Sequence, residues 1–191
     1  SDLHRLKGTL PAESLGKVPW KLSDNQAEID RWRNWRTGMS CEIDGHILGG
    51  AIDDALFDSI PGAFSPFDYK TRGAPPKPGD SEKYYGTQLA CYALLLGARG
   101  PVNGRGFLGY YWPKEQIQAM DGSVPHDERY STTAFFFHST VVELEARPER
   151  AKEVFLAAVK CLQGDMPDSS PNCEYCPYVT ARGALAATSA A

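Results

Sequence analysis

Hydrophobic and polar positions change rhythm along this chain, and the changes mark its elements. Over the first twenty-two residues Gly8, Pro11, Gly16 and Pro19 break up any periodicity, which predicts an irregular arm (1-22) with no site in it. Ser23 and Gln26 make a capping-box pattern, and the run to Arg36 before Gly38 predicts a helix near 24-37. Residues 41-57 read as a hairpin, with Asp44-Gly45 as the turn between two apolar segments. A third strand is expected at 64-71, and the Pro- and Gly-rich stretch from Gly73 to Gly79 ends it as a loop. Ser81 is placed to cap a helix rich in Leu and Ala, running to Leu96 and closed by Gly97. Aromatic and β-branched residues predict strands at 106-112 and 132-142, and a last helix follows at 148-163.

This order of helix, three strands, helix, two strands, helix fits an α/β sheet with helices packed on it, not a bundle or a sandwich. At 191 residues the chain is expected to form one domain, 23-182, followed by an Ala- and Ser-rich flexible tail, 183-191. No apolar run is long enough for a membrane span and no basic segment leads into an apolar one at the start, so the expected compartment is the cytoplasm. Five cysteines, at 41, 91, 161, 173 and 176, are an odd number that argues against a disulfide framework. Twenty basic against 24 acidic side chains give a net charge of −4, which excludes a surface coated in positive charge. It leaves room for a nucleic-acid contact confined to one groove.

Candidate chemistry centres on Asp68-Tyr69-Lys70. With this many acids and nine lysines, chance supplies roughly one acidic-x-Lys triplet, so the triplet alone proves nothing. Its company carries more. Alternation along the strand puts Asp68 and Lys70 on one face and Phe67 and Tyr69 on the other. Upstream, Gly50-Ala51-Ile52-Asp53 is expected on the preceding strand, where Asp53 can come beside Asp68. Converging carboxylates repel unless a cation offsets them, and oxygen ligands suit a hard ion such as Mg²⁺. Lys70 could then position an attacking water and stabilise charge on a phosphoryl oxygen. Gln88 and Tyr92 lie four apart on the expected helix and share a face, which Tyr84 extends by a turn.

Gly50-x-x-Asp53, Asp68-Tyr69-Lys70-Thr71 and Gln88-x-x-x-Tyr92, in that order over about residues 41-178, resemble the PD-(D/E)xK nuclease superfamily, specifically its RecB-like branch, which includes CRISPR adaptation nucleases. The resemblance implies a restriction-endonuclease-like core, with a central mixed β-sheet flanked by helices. It also implies a DNA nuclease dependent on Mg²⁺ or Mn²⁺, acting as an exonuclease in DNA processing or repair on single strands or duplex ends. Asp53, Asp68 and the Tyr69 backbone carbonyl would be metal ligands, Lys70 the catalytic lysine, and Gln88 and Tyr92 active-site helix residues. Family members often carry a further His or Glu ligand upstream; Glu28, Glu42 and His4 are the candidates here, and none is convincing. Some members of the branch hold a four-cysteine iron-sulfur cluster, and Cys173-x-x-Cys176 stands where part of one would form. A complete set would need Cys161 and Cys41 from unexpected places, so a packed cysteine pair is the expectation.

Plainer readings stand beside these. Alternation sends Asp54 to the face opposite Asp53, as a solvated or structural residue. Arg31, Arg33 and Arg36 with Trp35 suit a nucleic acid, whereas Trp32, in helical step with Ile29 and Arg36, suits the core. His46 and His138 read as packed residues, Phe135 to Phe137 as a buried strand, and Tyr110 to Trp112 as core. Two further hypotheses compete with the nuclease. One is a non-catalytic nucleic-acid-binding or assembly module on the same fold. The other is a metal or redox protein centred on the cysteine pair, which explains nothing about residues 50-92.

Overall fold

The structure is a computed structural model that describes residues 2-11, 14, 16-114, 137-170, 172-173 and 175-188. The start of the strand expected at 132-142, with Phe135 and Phe136, lies outside the described residues. The chain forms two compact units, Ser1–Phe155 and Leu156–Ala191. The first carries a mixed five-stranded sheet flanked by helices.

Its sheet has the order β1-β4-β5-β6-β7, from β1 (Lys21–Leu22), β4 (Asp54–Asp58), β5 (Ala63–Thr71), β6 (Arg105–Pro113) and β7 (Phe137–Glu145). Every pairing is antiparallel except β5 with β6, where Asp68 faces Leu108 and Lys70 faces Tyr110. Parallel neighbours need a crossover, and here it is α3 (Asp80–Gly97). Buried Leu89, Ala90, Ala93 and Leu96 repeat at helical spacing and seat this helix on the sheet. The core there joins Leu89 and Ala93 to Leu108, Tyr110 and Ala146. The opposite face packs Phe67 and Phe107 against Val18 and Leu22, so the arm is part of the core.

The hairpin is β2 (Met39–Ile43) with β3 (His46–Gly50), turned through Asp44 and Gly45 at φ 49° and 77°. Both central residues are left-handed, as a two-residue hairpin turn requires. It is a separate sheet that ends at Gly50, so Asp53 stands just before β4 and not on a hairpin strand as expected. α2 is Gln26–Arg33, shorter than expected, and its cap is Asn25, whose side chain accepts the Glu28 N–H at 3.1 Å. Ser23 cannot serve, because its N–H donates to the Ala55 carbonyl and extends the β1–β4 pairing. Ser81 likewise does not cap α3: Gly79 does, in the left-handed region, while the Ser81 hydroxyl bonds the Tyr110 hydroxyl at 2.9 Å. α4 is Pro148–Gln163, as expected. In the second unit α5, Tyr175–Thr188, runs on through the Ala-rich stretch read as a tail. Phe137 is half exposed, not buried, whereas Trp32 and Tyr110 are wholly buried as expected. No helix of the described residues is long and apolar enough to cross a membrane.

The arm also contributes charge. α1 (Asp2–Leu6) carries Arg5, which is buried and donates to Asp54 Oδ1 at 2.6 Å and to the Ser23 carbonyl. Asp54 has no exposed surface; Arg33 Nη2 reaches its Oδ2 at 3.2 Å, and the Tyr69 hydroxyl donates to the same oxygen at 3.3 Å. A carboxylate so buried persists only with such partners. Asp54→Ala strands the buried Arg5 and is expected to lower the unfolding free energy by about 3–5 kcal/mol. Arg5→Ala leaves Asp54 held by Arg33 and costs less. Urea unfolding of both variants checks the order, and a loss under about 1 kcal/mol for Asp54→Ala would refute the clasp.

Candidate active site

Asp53 and Asp54 are neighbours in sequence and separate in space. The Asp54 side chain joins Tyr69 on the arm side of the sheet, while Asp53 turns toward Asp68, on the side that α3 covers. The backbone fixes this split from both sides. Arg33 Nε donates to the Asp53 carbonyl at 2.5 Å, and the Tyr69 N–H donates to Asp53 Oδ2 at 3.2 Å. The latter bond stitches Asp53 to β5 at the residue between Asp68 and Lys70.

Asp68 is 2% exposed, and its Oδ2 lies 2.5 Å from Lys70 Nζ, yet no donor meets that oxygen in hydrogen-bond geometry. Burial pushes its carboxyl up from 3.8 to about 6, against the pull of Lys70 and with a smaller push from Asp53. Lys70 in turn sits over the Tyr85 ring, 4.8 Å from its centroid. Tyr85 takes the place expected for Tyr84, which is exposed and lies under Lys83. The signal was available, since Tyr85 is two helical turns before Tyr92 on the same face.

On α3 the Gln88 side-chain amide donates to the Tyr92 hydroxyl oxygen at 2.7 Å. Burial pushes the Tyr92 phenol above its usual range, and the nearby charges of Asp68 and Asp53 add to this. Tyr92 therefore keeps its proton, and its oxygen accepts from Gln88. Asp53, Asp68, Lys70, Gln88 and Tyr92 thus form one cluster across the segment before β4, β5 and α3. Arg72, next on the Lys70 face of the chain, pairs with Asp80 at 3.4 Å and lies 5.7 Å from the Tyr110 ring centroid.

The candidates for an extra ligand do not join the cluster. Glu28 is bonded to Asn25, His4 to Thr9, and Glu42 is exposed on β2. Among the described residues no group of three or more His, Cys, Asp or Glu could hold a metal. What the cluster does offer is two carboxylates, with Asp68 buried and facing Lys70 as its one cation, and such hard oxygens fit a divalent ion that keeps several waters. In the second unit the Cys176 thiol donates to Cys173 Sγ at 2.6 Å, which draws Cys173 below the ordinary thiol range. The pair supplies two of the four thiolates that a cluster needs.

A family model described as the PD-(D/E)XK nuclease superfamily matches residues 12–181. The chain belongs to that superfamily. PD-(D/E)XK proteins are generally nucleases that hydrolyse phosphodiester bonds, and they generally use divalent metals such as Mg²⁺. Comparison with curated proteins and with solved structures finds no match. The PD-(D/E)XK match spans the mixed sheet, α3 and all five clustered residues.

Burial of Asp68 has a consequence for stability. Its folded pKa is raised, so its contribution is fully present below about pH 4 and is lost as pH rises through about 6. Above that, with no metal bound, the fold carries a penalty of about 3 kcal/mol for ionising it. Asp68→Asn stays neutral and is expected to unfold at higher urea than wild type at pH 8, with the difference shrinking toward pH 4. Parallel stability curves for the two proteins over this range in EDTA would show that Asp68 does not bear this cost.

Proposed function

We propose that this chain is a Mg²⁺- or Mn²⁺-dependent deoxyribonuclease of the RecB-like branch, and an exonuclease acting in DNA processing or repair. The observation that carries the reading is the cluster itself: two carboxylates, one of them buried, beside a lysine held between Asp68 and the Tyr85 ring. An ordinary salt bridge does not call for a second carboxylate, and a non-catalytic module gains nothing from the cost of burying Asp68. The order Gly50-x-x-Asp53, Asp68-Tyr69-Lys70, Gln88-x-x-x-Tyr92 supports the RecB-like branch, and the superfamily supports a nucleic-acid substrate.

Asp53, Asp68 and the Tyr69 carbonyl would hold the ion. When bound, it supplies a nucleophile from water and polarises the phosphoryl oxygen. Lys70 presents an ammonium at the edge of the carboxylate pair, where it orients the attacking water and stabilises charge growing on the phosphorane oxygens. Tyr92 would donate a hydrogen bond from its hydroxyl to a substrate oxygen, and Gln88 would fix its direction through its bond to the Tyr92 oxygen. Arg33 and Arg5 act behind the sheet, holding the backbone from which Asp53 projects.

The test is cleavage of end-labelled single- and double-stranded DNA with Mg²⁺ or Mn²⁺. Wild type is expected to cut and to stop cutting in EDTA, while covalently closed circular DNA stays intact. Lys70→Ala is expected to lose about 10²–10³-fold in rate while still binding Mn²⁺ by calorimetry. DNA left uncut with both ions, or Lys70→Ala cutting as fast as wild type, overturns the nuclease. Cleavage of the closed circle overturns the exonuclease mode alone.

A further inference from the structure

Two cationic side chains that the active site does not use meet at the C-terminal end of α3. Arg31, on α2, and Arg99, just beyond α3, line a cavity of about 480 Å³ together with Thr37 and Ser40. No acidic residue lines it, and among the described residues neither guanidinium has a carboxylate partner. Two unpaired guanidinium groups over a polar floor are what a phosphate-bearing ligand needs.

Two residues before Thr37, which lines this cavity, the chain holds an indole in water. The Thr37 and Gly38 N–H groups donate to the Asn34 carbonyl at 3.0 and 2.6 Å, and the Arg36 N–H donates to Asn34 Oδ1 at 3.0 Å. This bonded turn leaves Trp35 78% exposed, with the Arg36 guanidinium 5.1 Å from its ring centroid. The turn is fixed in place. A Cβ on Gly38 would meet the Gly50 carbonyl oxygen at 2.5 Å, and the Ile52 N–H donates to the Trp32 carbonyl at 3.0 Å. The patch is thus anchored to the segment that ends in Asp53. Along α3, seven residues separate Tyr92 from Arg99, on the order of 10 Å, a few nucleotides of strand.

We propose that Arg31, Arg99, Trp35 and Arg36 form a landing surface for single-stranded nucleic acid, holding phosphates in the arginine-lined cavity and stacking an unpaired base on Trp35. A duplex keeps its bases stacked on each other and has no face to offer the indole, so the surface selects single strands. In a chain of net charge −4, a local cluster of arginines without carboxylate partners is a place where a polyanion gains. The position of this surface relative to the cut rests on the nuclease reading; the binding does not.

The full chain in EDTA is titrated with oligothymidylate of about twelve nucleotides, following tryptophan fluorescence and the anisotropy of a labelled strand. Wild type is expected to bind with quenching. The double variant Arg31→Glu/Arg99→Glu is expected to raise Kd about tenfold or more and to flatten the plot of log K against log salt by roughly 1.4. Trp35→Leu is expected to remove most of the quenching and weaken binding about tenfold. All four side chains lie outside the core, so thermal unfolding should not change and a folding defect is distinguishable. Unchanged Kd in the double variant, a duplex competing as well as the single strand, or polyglutamate competing equally overturns the proposal, the last in favour of an acidic protein partner. With Mn²⁺, hydrolysis of the p-nitrophenyl ester of thymidine 5′-phosphate should not change in the arginine variant, while cleavage of the oligonucleotide falls. If wild type binds the oligonucleotide yet hydrolyses neither substrate, the nuclease reading fails and the landing surface stands.

Discussion

The burial of one carboxylate, Asp68, beside a second, Asp53, is the constraint around which the first unit is organised. Ionised in a site with so little exposure, Asp68 opposes folding, and its carboxyl is pushed up to about 6 even with Lys70 at 2.5 Å. A chain keeps such an arrangement where something other than stability depends on it. The rest of the unit supplies what offsets the cost. The parallel β5–β6 pairing forces a crossover, the crossover is α3, and α3 brings Tyr85 under Lys70 and Tyr92 toward the carboxylates.

The reverse face of the sheet serves the same end by different means. Asp54 is as buried as Asp68, yet its two oxygens meet Arg5, Arg33 and the Tyr69 hydroxyl, and nothing about it is left to a ligand. Two buried carboxylates on opposite faces of the sheet thus carry different solutions to the same problem, Asp54 held by three donors and Asp68 facing Lys70 alone. Arg33 links the clasp to the site, bonding both the Asp54 side chain and the Asp53 carbonyl. Any shift of the clasp would move Asp53, so the anchoring of the arm through Arg5 reaches the site through a short chain of bonds.

Much of this was legible from pattern. Period-2 alternation placed Asp68 with Lys70 and opposed Asp53 to Asp54, because strand geometry is local. The hairpin turn and the limits of α3 and α4 followed from glycine, proline and apolar spacing. What escaped depends on contacts distant in sequence. Arg5 lies 49 residues from Asp54, and no periodicity links them, so the arm looked irregular although its Arg5, Val18 and Leu22 are buried. The caps of α2 and α3 moved for a related reason. Ser23 and Ser81 had the right chemistry, but a sheet bond claimed the Ser23 backbone and Tyr110 claimed the Ser81 hydroxyl.

The cluster from Arg31 to Arg36 shows how tertiary context sorts residues that composition treats alike. Arg31, Arg33 and Arg36 with Trp35 suited nucleic acid on paper, and Trp32 the core. Trp32 is core, and Arg33 is spent on Asp54, Asp2 and the Asp53 carbonyl. Arg31, Trp35 and Arg36 remain, and the sorting follows helix phase: Ile29, Trp32 and Arg33 face the sheet, while Arg31 and the turn after Arg33 face away. A surface for a ligand is what is left once the fold has taken the side chains it needs. In this chain the remainder is cationic and aromatic, and it lies next to the segment that positions Asp53.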